Sequence, residues 1–66
     1  MLSNIIRERA QTAAIHAASL VKTMQGTPQK QDTAAIHARD LVLQGKTGAT
    51  AVESGYRVAM GLAVLA

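Results

Sequence analysis

Between residues 4 and 25, the positions Ile6, Ala10, Ala13, Ala17, Leu20 and Met24 follow a 4-3-4-3-4 spacing. That spacing keeps one side of a helix apolar and resembles a short coiled-coil seam. Arg9, Thr12, His16, Ser19 and Thr23 form a second, polar stripe. The pattern then starts again. Thr12-Ala13-Ala14-Ile15-His16-Ala17 recurs letter for letter as Thr33-Ala34-Ala35-Ile36-His37-Ala38, and Leu20-Val21 recurs as Leu41-Val42. The 21-residue internal repeat predicts one helical unit used twice. In the second copy Ala34, Ala38 and Leu41, widened by Ala35 and Val42, face inwards, and Lys30, Thr33, His37, Asp40 and Gln44 face outwards.

Punctuation decides how the two units join. A period of 21 residues would also suit one long coiled coil, but Gly26-Thr27-Pro28 interrupts it. Ser3 is a candidate N-cap, and Gly26 suits a C-terminal position with positive φ. Thr27 is a second N-cap, followed by Pro at the first helical position, where its missing N–H costs nothing. The expectation is a helical hairpin from helices at about 4–25 and 28–44, with Ala13, Ala17 and Leu20 facing Ala34, Ala38 and Leu41.

A third helix is expected at about 50–65, after the linker Gly45-Lys46-Thr47-Gly48. Thr50 and Glu53 fit a capping box. Ala51, Gly55, Ala59 and Ala63 recur every fourth residue and make a ridge that another helix can approach closely. After Arg57 the chain is apolar all round, as in helices buried on every side. Ala51, Gly55, Ala59, Leu62, Ala63 and Leu65 are therefore the expected association surface. The fold class is all-α, one small helical domain over residues 1–66, with an oligomeric helical assembly expected.

Composition strengthens that expectation. The chain has 66 residues, no Cys, no Phe, no Trp and one Tyr. Disulfides and thiolate zinc sites are excluded. Domains of this size bury only about 60% of their unfolded surface, and a core of alanines removes little area from water at roughly 25 cal/mol per Å². Such a chain gains from a partner. Residues 1–9 lack a signal-peptide core, and the longest charge-free apolar stretch, residues 58–66, is too short to span a bilayer. A location in the cytoplasm or within an assembled particle is expected.

The chemistry on offer is thin. Gly45-Lys46-Thr47 resembles the end of a phosphate-binding loop, but that motif needs Gly where this chain has Asp40. His16 and His37 could begin a metal site with Asp40 one turn away, but both lie on polar stripes. Ser19 near His16, and Ser54 beside Glu53, lack a third partner. No enzyme, no cofactor and no metal are expected. A helix-turn-helix DNA binder is an alternative, since the net charge is +3. Its recognition helix would be the third, which carries one basic residue, Arg57, and no Asn or Gln to read bases; no specific nucleic acid is expected. In length, basic charge and richness in Ala, Val, Leu and Gly the chain resembles circular and leaderless bacteriocins, which implies a membrane-active peptide as a second alternative. It departs from them in lacking Trp, Phe and a concentrated Lys patch. The preferred reading is a non-catalytic structural subunit, such as a small component of a virus particle, that associates with itself or with a larger protein.

Overall fold

Each helix begins and ends by the same local device. A computed structural model describes residues 3–63, with α1 at Asn4–Thr23, α2 at Pro28–Leu43 and α3 at Gly48–Ala59. Ser3, Thr27 and Thr47 are the N-caps, and their side-chain oxygens accept from Ile6 N, Lys30 N and Thr50 N at 3.2 Å each. Each bond satisfies one of the amide donors that an α-helix leaves unpaired at its start. Each helix then closes with a Schellman pair of bonds, in which a residue of positive φ turns the chain back onto the last carbonyls. Gly26 N donates to Val21 O at 2.8 Å, Lys46 N to Leu41 O at 3.0 Å, and Leu62 N to Arg57 O at 2.8 Å.

These devices correct three expectations. Positive φ at the end of α1 belongs to Gln25, at 64°, not to Gly26. Gly26 is required for space instead: a Cβ there would collide with the Val21 side chain and come within 3.2 Å of Met60 Sδ. Helix α3 starts at Gly48 rather than Thr50, because Thr47 caps it first; Glu53 turns forwards to Arg57 instead, with its carboxylate 3.2 Å from the guanidinium. Helix α3 also stops at Ala59 rather than running to about 65. Gly61, at φ 72°, is its terminator and not an interior residue.

Six of the eight buried core residues lie in the two copies of the repeat. Buried in the core are Ala10, Ala13, Ala17 and Val21 from α1, Ala34, Ala38 and Val42 from α2, and Ala51 from α3. The third seam position is therefore Val21 and Val42. Leu20, expected inside, is 37% exposed and Met24 is 53% exposed, while Leu41 is partly buried. A straight helix drifts about 20° per heptad from a strict 3.5-residue seam, so by the third turn the next residue along has rotated into the core. In all three helices a Thr precedes a buried Ala, with a second buried small residue four positions later: Ala13 and Ala17, Ala34 and Ala38, Ala51 and Gly55. Helix α2 lies between the other two. Its contact with α1 is the most extensive, and α1 with α3 the least. The chain runs up, down and up, bringing Met60 beside the α1–α2 turn.

Candidate interaction surfaces

The small-residue ridge of α3 already has a helix against it. Ala51 is fully buried, and Gly55 faces α2: a Cβ at position 55 would stand 2.6 Å from the Ala34 carbonyl oxygen and 3.3 Å from Ala38 Cβ. Backbone-to-backbone approach at this distance requires glycine. Ala59 is half-buried against the same core. Of the residues expected at an interface, Leu62 and Ala63 are at the surface, Leu62 at 47% exposure. Ala63 lends its carbonyl oxygen to Arg57 Nη1 at 3.1 Å. Leu65 lies outside the described residues.

Two of the apolar concavities along α1 bear on association. The larger, of about 970 Å³, is an open groove between α1 and α3. Ile5, Leu20, Val52 and Tyr56 line it, with Glu8, Arg9, His16 and Glu53 around them. It exists because α1 and α3 each pack on α2 more than on each other. The smaller, of about 280 Å³, lies on the α1–α2 face between Ile15 and Ile36, with Ala14, Ala18 and Ala35 as its floor and Gln11 and Arg39 at its end. Ile15 is 57% exposed and Ile36 is 51% exposed.

Sequence reasoning passed over Ile15 and Ile36. They follow the buried Ala13 and Ala34 by two positions, which turns them roughly 200° away from the core on a 3.6-residue helix. The signal was available. A large aliphatic residue stands on the otherwise polar side, at the same place in both copies of the repeat.

The remaining chemical suggestions resolve into local structure. Gly45-Lys46-Thr47 is the turn from α2 to α3: Gly45 has φ 99°, Lys46 N closes α2 and Thr47 caps α3. His16 is exposed beside the α1–α3 groove and His37 is partly buried. Among the described residues no three of His, Asp and Glu converge as metal ligands, and no helix is long and apolar enough to cross a membrane. Compared with protein families, curated proteins and solved structures, the chain matches none.

Proposed function

We propose that this chain is a non-catalytic assembly subunit that packs its helices against copies of itself or a larger partner, as in a virus particle or another multi-subunit assembly. One observation carries the reading: the distribution of apolar side chains is inverted. Among the described residues the buried core is six alanines and two valines, and the largest fully buried side chain is Val21. Ile5, Ile15, Ile36, Met24 and Leu62 are all outside, each close to half exposed or more. Single exposed leucines are common on any protein. Here, however, five large aliphatic residues, each with about 1.5–3 kcal/mol to gain from burial, are left in water, while Leu41, Leu43 and Met60 are only partly buried. A partner's surface supplies that burial.

The segment after α3 keeps a part in this reading through Leu62 and Ala63, while Ala51 and Gly55 of α3 serve the fold. A specific nucleic-acid partner is not expected, because Arg57, the basic residue of α3, is engaged with Glu53. The test is the mass of the purified chain in solution by light scattering on a sizing column. A defined particle larger than 6.9 kDa, or a stable complex with one larger protein, is the expected result. A monomer that binds no protein but retains duplex DNA at physiological salt would overturn it.

A further inference from the structure

We infer that the α1–α2 face carrying Ile15 and Ile36 docks a second copy of this chain, through a two-fold axis running along the helices. This rests on the assembly reading above and names the surface through which it acts.

Shape and registry come first. The face has an alanine floor, formed by Ala14, Ala18 and Ala35, between two exposed isoleucines. The isoleucines occupy identical places in two helices that run in opposite directions. A two-fold axis parallel to the helices lays α1 of one copy over α2 of the other, so that Ile15 meets Ile36 of the second copy and the reverse contact follows by symmetry. Every neighbouring pair of helices is then antiparallel, the arrangement of an up-down four-helix bundle. Two helices side by side present a strip about 20 Å wide and roughly 24–30 Å long. That footprint of about 480–600 Å² is somewhat below the roughly 800 Å² that each partner commits to a standard interface.

Charge on this face suits a second copy. One turn past Ala18 comes Lys22, and one turn before Ile36 comes Asp32, both exposed. Helical spacing places both on the apolar face at the end nearest the α1–α2 turn. Among the described residues neither takes part in an ion pair. The two-fold axis places Lys22 about one helical turn from Asp32 of the second copy, within reach of a lysine side chain, twice. The other end of the face holds Arg39 with its ion-pair partner Asp40, 3.3 Å away. These two bases and two acids balance. The whole excess of +3 lies on Arg7, Arg9, Lys30 and Lys46 against Glu8, with Arg57 balanced by Glu53. A basic chain can meet its copy across this face without accumulating like charge.

The absence of cysteine makes the test direct. Ile15→Cys and Ile36→Cys variants are prepared separately, mixed and oxidised mildly. The mixture should form the mixed disulfide dimer at least several-fold faster than either variant alone. Equal rates in all three samples, or no cross-link, would overturn the two-fold arrangement. In parallel, the mass of wild type and of the Ile15→Asp/Ile36→Asp double variant is measured at matched concentrations. Wild type should show at least twice the mass of the double variant, with unchanged far-UV circular dichroism. A wild-type oligomer that survives the double substitution overturns this face and leaves the assembly reading intact. A wild type that remains at 6.9 kDa at every concentration overturns the dimer and restricts assembly to a larger partner. If the double variant loses its helicity, the cross-linking rates decide.

Discussion

The contact of α1 with α2 and the contact of α2 with α3 use the same kind of stripe at different depths. Between α1 and α2 the buried residues Ala13, Ala17, Ala34 and Ala38 share one core, and both helices keep an isoleucine on their outer sides. Between α2 and α3 the second small residue is Gly55, and the backbone of α2 comes within reach of where its Cβ would be. The hairpin therefore has side-chain thickness to spare at the surface, whereas α3 spends its small residues on fitting closely. The difference teaches that a ridge of small residues is not evidence for an external partner. A helix of the same chain can fill it, and the surface left for others is then set by the larger residues beside the ridge.

The largest effect is expected from Gly55→Leu. The new side chain would begin 2.6 Å from the Ala34 carbonyl oxygen, which is backbone and cannot rotate away. The expected cost is about 3 kcal/mol, the upper end for overpacking. It should appear as a melting temperature lowered by more than about 10 °C. A variant as stable as wild type would mean that α3 is not held against α2 through this residue.

Substitution in the hairpin should cost less. Ala17→Leu or Ala38→Leu adds bulk at fully buried positions of the core. Roughly 1–3 kcal/mol of destabilisation is expected from either, measured by urea denaturation. If both raise stability, the seam is loosely packed and the contrast with Gly55 disappears.

Smaller effects test the caps. Thr47→Ala removes the oxygen that accepts from Thr50 N and should destabilise by about 1 kcal/mol. Thr50→Ala should cost clearly less, because its hydroxyl accepts only from the exposed Thr47 hydroxyl among the described contacts. Comparable losses from both would return the start of α3 to Thr50. Gln25→Gly should move stability the other way. A left-handed conformation costs a non-glycine residue roughly 1–2 kcal/mol, and the added freedom of glycine in the unfolded chain offsets about 0.4–1 kcal/mol of the gain. A net rise of about 0.5 kcal/mol is expected in the same denaturation assay. A loss would mean that the Gln25 side chain contributes more than its backbone costs.

Much of the architecture was legible because it is local. Ser3, Thr27 and Pro28 mark helix starts by their own hydrogen-bonding and φ preferences, and the alanines at positions 10, 13, 17, 34, 38 and 51 fall on one side of their helices by spacing alone. The end of α3 was harder to read. Gly61 has the same helix-stopping capacity as Gly45, but the apolar residues beyond it continue the helical pattern, and pattern alone does not rank a stop against a continuation.

The amino-acid sequence by itself determined that the chain is helical, where α1 and α2 meet at a turn and which small residues line the seam. All of these follow from interactions spanning at most a turn or so of helix. Tertiary packing decided what the seam positions meet. It rotated Val21 and Val42 into the core in place of Leu20, put Gly55 against the Ala34 carbonyl and gave the ridge of α3 to α2. It also left Ile15 and Ile36 side by side on one face. Residues 21 positions apart become neighbours only when two helices fold back on each other, and no spacing rule within a single helix contains that distance.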